Sequence, residues 1–117
     1  MIVLRNVILF VTALLLALTA GRAFWVWLGE SPFNLSGATY VEVFQQLDKL
    51  IAVPVAVTGI GGALLAGISA AVYKHDRRAF SLLVAACALG VVGSLVTIFV
   101  NVPINERLAT WNPAAYA

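Results

Sequence analysis

Two carboxamides flank a proline in the run from Thr97 to Trp111, where Asn101, Pro103 and Asn105 are followed by Glu106, Arg107 and Trp111. Proline disfavours helix at the residue before it, so Pro103 is expected to end or bend a helix at Val102. A carboxamide both donates and accepts hydrogen bonds, which gives the pair two readings. Asn101 and Asn105 either cap the backbone groups freed at the break, or face a cavity flanked by Arg107 and roofed by Trp111. Arg22 is the other residue with chemical potential, because it lies alone among apolar residues between Arg5 and Glu30. Burying a charge in lipid costs several kcal/mol, so such a residue either snorkels to the headgroups or holds an anionic or enolate-like oxygen inside a bundle.

Other chemistry lacks its residues. Cys87 is the one cysteine and His75 the one histidine, which excludes a disulfide framework and the usual zinc, iron-sulfur and bis-histidine haem sites. The chain has no GxxxxGK[ST], HExxH or GxSxG, the signatures of nucleotide hydrolysis, zinc proteolysis and serine hydrolysis. No metal or other cofactor is expected. The net charge is only +2, so nucleic acid is not an expected partner. Of the 117 residues 62% are hydrophobic and 10% charged, against about 25% charged in soluble domains, so the surroundings are a lipid bilayer.

The elements that position these residues follow from the gaps between charges. Spans are expected at about residues 6–29, 50–73 and 79–102, each about 24 residues and so about 36 Å as a helix, against a hydrocarbon core of ~30 Å. The fold class is therefore an all-α membrane protein, a small bundle of three transmembrane helices forming one domain over 1–117. Arg5 and the cluster Lys74, Arg77 and Arg78 place the N-terminus and loop 74–78 in the cytoplasm, with segment 30–49 and tail 103–117 outside. Phe24, Trp25, Trp27, Phe33, Tyr40 and Trp111 fit an aromatic belt at the outer interface. The first span also has the layout of a secretory signal, with small residues at Ala20, Gly21 and Ala23. Apolar residues continue from Phe24 to Leu28, which favours an uncleaved anchor. Asn34-Leu35-Ser36 matches a glycosylation triplet, a pattern common by chance.

Helices in lipid associate by close backbone approach, which needs small residues at every fourth position. Ala13, Ala17 and Gly21 form one series, Gly59, Ala63, Gly67 and Ala71 a second, and Ala86, Gly90 and Ser94 a third. Thr39 and Glu42 have capping-box spacing, so an amphipathic extension of span two is expected from about Tyr40, with Tyr40, Val43, Phe44, Leu47 and Leu50 on one face. Pro54 either kinks that helix beside a pocket or eases it from surface to membrane.

The stretch Asn-Val-Pro-Ile-Asn-Glu-Arg-Leu-Ala-Thr-Trp at 101–111 resembles the signature of the anthrone oxygenase-like integral membrane proteins. Ala20-Gly21 before an aromatic and the segment Tyr40 to Gln46 are similar to that family's pattern as well. The resemblance implies a small helical membrane protein, usually of four helices, some fungal members of which are implicated in oxidising anthrones to anthraquinones. It carries over Asn101, Pro103, Asn105, Arg107 and Trp111, together with Gln45 or Gln46. In an oxygenase, Asn101, Asn105 and Arg107 are the candidate catalytic residues, donors that stabilise an enolate in a water-poor cavity. Trp111, Gln45, Gln46 and Arg22 are the candidate substrate-binding residues.

An anthrone is flat, apolar and readily enolised, and its carbanion reduces oxygen without a metal. Glu106 and Asp48 are candidate bases, though exposed carboxylates are mostly just solvated. His75 belongs to the topology-setting turn. Two other classes compete: a non-enzymatic membrane subunit whose asparagines only terminate a helix, and a transporter of small hydrophobic molecules. No intramembrane Asp or Glu is available for a proton-coupled exporter. With three spans where the family usually has four, the fourth position is expected to be missing or filled by a homo-oligomer or a companion membrane subunit. Crosslinking in native membranes is then expected to trap dimers or larger species; monomers alone would contradict that expectation.

Overall fold

Backbone amides in hydrocarbon have no water to bond, so an apolar run crosses a bilayer only if its hydrogen bonds close within the segment. The computed structural model describes residues 1–29 and 35–116, and all regular structure among them is helical. Helix α1 spans Ile2–Gly29, α2 Gly37–Val72, α3 Arg77–Val96 and α4 Val102–Ala109. A π-helical turn, Thr97–Asn101, joins α3 to α4, and Pro113–Tyr116 forms a short 3-10 turn. Three rods are long and apolar enough to cross a membrane, Ile2–Leu28, Gly37–Val72 and Arg77–Ala109. The protein is an all-α membrane protein. Glu30, Phe33 and Asn34, which enter the expected span limit, aromatic belt and glycosylation triplet, lie outside the described residues.

Helix α2 begins a turn earlier than the Thr39 and Glu42 spacing predicts. Ser36 is the N-cap, its Oγ accepting from the Thr39 amide at 3.3 Å and donating to Thr39 Oγ1 at 2.8 Å. The small residues Gly37 and Ala38 fill the turn that this cap opens, and Glu42 is left exposed. At 36 residues the helix is about 54 Å long, more than a ~30 Å core requires, and the polar residues Gln45, Gln46, Asp48 and Lys49 all fall in its first half. The centre of its buried face is Val41, whereas Leu50 at the far end of the expected face is 73% exposed. Pro54 lies within the uninterrupted helix, and Thr58 Oγ1 donates to the Pro54 carbonyl at 3.0 Å.

At the opposite end the chain turns within Tyr73 to Asp76. Asp76 caps α3, its Oδ1 accepting from the amides of Arg78 and Ala79 at 3.0 and 3.1 Å. The Arg5 guanidinium lies 4.6 Å from the Tyr73 ring centre, joining the start of α1 to the end of α2.

Helix α2 is the middle element and packs against both α1 and α3. Against α1 it presents Gly61 and Gly62 to Leu15 and Leu16, while Thr12 and Ser69, both fully buried, share a hydroxyl hydrogen bond of 3.0 Å. Thr12 Oγ1 also donates to the Ile8 carbonyl at 2.8 Å, so both hydroxyls are satisfied in apolar surroundings. Against α3 Gly90 packs tightly on Ala63, with Gly67 facing the Cys87 sulfur. The small-residue series therefore divide. Gly90 and Ala63 sit in a tight contact, whereas Ala13, Ala17 and Gly21 of α1 are exposed. The side of α1 that meets α2 carries Thr12, Leu15 and Leu16 instead, because Gly61 and Gly62 on the partner helix already provide the close approach.

A methyl group on Gly90 would lie 2.7 Å from the Ala63 Cβ, while one on Gly93 would meet nothing within 4 Å. Gly90→Ala should therefore destabilise the bundle by roughly 1–3 kcal/mol. Gly93→Ala should be neutral or stabilising by up to about 1 kcal/mol. Reversible unfolding in mixed micelles measures both, and equal effects would contradict this packing.

Candidate functional site

In an unbroken α-helix Pro103 would leave the Phe99 carbonyl without a donor and push its ring against it. The π turn just before the proline widens the ladder, and Val102 N–H bonds to the Thr97 carbonyl five residues back. The rod thus continues to Ala109 instead of ending at Val102. This is the local adjustment by which membrane helices tolerate proline. An added residue in the turn also rotates all that follows by about 100° relative to a plain α-helix. Helix α4, which packs against α2, takes its facing from this register.

Two side chains of α2 hold α4 and the segment after it. Asn105 Nδ2 donates to Asp48 Oδ1 at 2.9 Å in a half-buried contact. Gln45 Nε2 donates to the carbonyls of Leu108 at 2.8 Å and Trp111 at 2.9 Å, supplying a donor to carbonyls at the rod's end. Val41, Gln45 and Asp48 follow one another at helical spacing, and the buried residues flanking this seam are Val41 on α2 and Leu108 on α4. The chain after Ala109 folds back over the start of α2. Trp111 stacks on Tyr116 with ring centres 5.3 Å apart, and Tyr116 covers Gly37 closely enough that a methyl group there would lie 3.2 Å from its Cβ.

Between α2 and α4 lies a cavity of about 60 Å³ lined by Phe44, Gln45, Asp48, Lys49, Asn105 and Ala109. It joins a carboxylate, an ammonium and two carboxamides in one small space. Drug-sized ligands occupy about 300–1,000 Å³, so this space admits an edge or a few atoms of such a molecule.

Of the residues selected from sequence, Asn105 and Gln45 are brought together here. Asn101, the last residue of the π turn, is exposed and makes no side-chain cap to α4. Neither asparagine caps the break, since Asn105 bonds a carboxylate and the π turn accommodates the proline. Arg107 and Gln46 are exposed outside the cavity lining, and Trp111 lies over Tyr116 rather than over the cavity. Arg22 is half-buried on α1, which contributes nothing to the lining. Of the two candidate bases, Asp48 lines the cavity and is half-buried, whereas Glu106 is exposed outside it; Phe44 and Lys49 join the lining without having been singled out by the sequence pattern. The available signal was spacing: Phe44 with Asp48 and Gln45 with Lys49 are each four residues apart, and Gln45 with Asp48 three, so the four lie in adjoining rows on one side of the helix.

All six lining residues fall within 42–117, the stretch matched by the model of a family described as Anthrone oxygenase. The chain belongs to the anthrone oxygenase family. No curated protein and no solved structure matches it. In this member of the anthrone oxygenase family, the matched region contains α2 from Glu42 onward, α3, the π turn and α4, and excludes α1.

If Gln45 fastens the end of the rod, Gln45→Leu should loosen residues 102–116 while α1 and α3 stay intact. The expected loss is about 1–2 kcal/mol, read as a roughly tenfold rise in amide hydrogen exchange confined to that segment. Unchanged exchange there would show that the two carbonyls need no side-chain donor.

Proposed function

We propose that this membrane protein oxidises a flat, enolisable phenolic or anthrone-like substrate with molecular oxygen, using the polar cavity between α2 and α4. The supporting observation is the placement of Asp48, held by Asn105, in the same small cavity as Lys49 and Gln45. Asp48 is the base. It removes a proton from the substrate methylene across the central ring from the carbonyl, and the charge that conjugation carries to the carbonyl oxygen is stabilised there by the Lys49 ammonium. The enolate carbon reduces oxygen and binds it as a hydroperoxide. Loss of the second methylene proton, with cleavage of the O–O bond, leaves a carbonyl and releases water. One methylene group and one O2 thus give one ketone and one H2O. With about 60 Å³ available, only the reacting edge enters and the rings remain in the apolar surroundings.

Asn105 is a positioning residue that fixes the carboxylate. Gln45 keeps α4 in place, because its amide is committed to the carbonyls of Leu108 and Trp111. Those same commitments favour a second reading, in which the cluster is only a clasp and the protein is a non-enzymatic membrane subunit. The cavity volume is compatible with that reading too.

Asp48→Asn separates the two readings, since a carboxamide retains an oxygen to accept from Asn105 but is no base. The expected result is a folded protein whose anthrone-dependent oxygen uptake, above the protein-free rate, falls about 10²- to 10⁴-fold. Unchanged uptake in the variant would remove Asp48 from the chemistry. No uptake by the native chain, with its fold intact, would favour the subunit.

A further inference from the structure

The polar cavity lies where α2 begins. Where α2 ends, a second and larger hollow of about 400 Å³ opens between α2 and α3. Gly67, Ala70 and Ala71 form one wall, and Phe80, Val84 and Cys87 the other. These small residues on α2 face larger ones on α3 and leave a groove on the flank of the bundle. The lining is apolar, so the groove suits a hydrocarbon chain and offers a polar ligand nothing to bond.

Basic residues stand at one end of the groove. Arg77 precedes Phe80 by three residues and Val84 by seven, which puts it on the helix face that lines the hollow. Lys74 follows Ala71 by three residues, and Arg78 adjoins Arg77; all three are exposed. The neighbouring carboxylate, Asp76, is engaged in capping α3 through the amides of Arg78 and Ala79. Tyr73 is covered by Arg5, a further cation at this end. His75 completes the loop. Three exposed cations above an apolar groove complement a molecule with an anionic head and a hydrocarbon tail.

We propose that this end of the protein seats an anionic phospholipid, its phosphate held by Lys74, Arg77 and Arg78 and one acyl chain lying in the groove beside Gly67, Ala71 and Phe80. Clusters of basic residues next to membrane helices attract anionic headgroups, and the groove converts that attraction into a site by fixing the chain below it. Because α3 is already capped by Asp76, recognition falls to side chains rather than to the helix terminus.

The test uses the full chain in phosphatidylcholine vesicles carrying either spin-labelled phosphatidylglycerol or spin-labelled phosphatidylcholine, comparing the motionally restricted fractions by electron paramagnetic resonance. The native protein should prefer phosphatidylglycerol by roughly fivefold, about the attraction of one basic side chain to an anionic surface. Replacing Lys74, Arg77 and Arg78 together by Gln should bring the preference to near unity. Ala71→Trp, which fills the groove from its exposed side, should lower it while the charges remain. Equal affinity of the native chain for the two lipids would overturn the proposal. So would a preference that survives Ala71→Trp, which would indicate diffuse surface attraction without a seated chain.

Discussion

The architecture depends on one constraint, that a proline near the end of a membrane-spanning rod must be accommodated without leaving backbone groups open. Pro103 withholds an N–H from the ladder, and the Thr97–Asn101 π turn absorbs the mismatch by bonding Val102 to Thr97. Two consequences reach the site. The rod continues to Ala109 instead of stopping, and its last turns are rotated so that Asn105 meets Asp48. Had the helix ended at Val102, there would be no α4 to close the cavity. Single π turns inside α-helices are frequent at functional sites, and here a proline supplies the physical cause.

The two ends of α2 differ in character because the helix is longer than a bilayer core is thick. Its opening turns carry Gln45, Asp48 and Lys49 in a position where polar side chains can be hydrated or bonded to α4. Its final turns carry Gly67, Ala70 and Ala71, which allow close backbone approach, with the Ser69 hydroxyl bonded to Thr12 of α1 among them. The same helix thus serves a polar clasp at one end and an apolar groove at the other. The Thr12 and Ser69 bond shows how hydroxyls are admitted to the apolar part, since each is fully buried and each has a partner.

Much of this could be read before the structure. Long uncharged runs required three helical rods, and the pattern of 101–111 pointed to the family that the match over 42–117 establishes. The break at Pro103 was recognised, but its form was not: nothing in Val102-Pro103 distinguishes a helix that stops from one that inserts a residue and continues. That ambiguity separated Asn101 from Asn105, which a plain helix would have kept about one turn apart on one face. Asp48 was undervalued for a related reason. Its partner lies 57 residues away, and no local pattern reveals a contact made between two rods. Small-residue spacing located Gly90 and Ala63 correctly but suggested an equivalent role for Ala13, Ala17 and Gly21, because periodicity finds a face without saying what it meets.

The register imposed by the π turn is the central claim, and pairwise thiol proximity reads it directly. In a Cys87→Ser background in native membranes, Asp48→Cys combined with Asn105→Cys should be joined rapidly by a short bifunctional thiol reagent, while Asp48→Cys combined with Asn101→Cys should remain unlinked. Preferential linkage of the Asn101 pair would mean that the rod turns the other way, and neither the cavity nor its chemistry would survive that result.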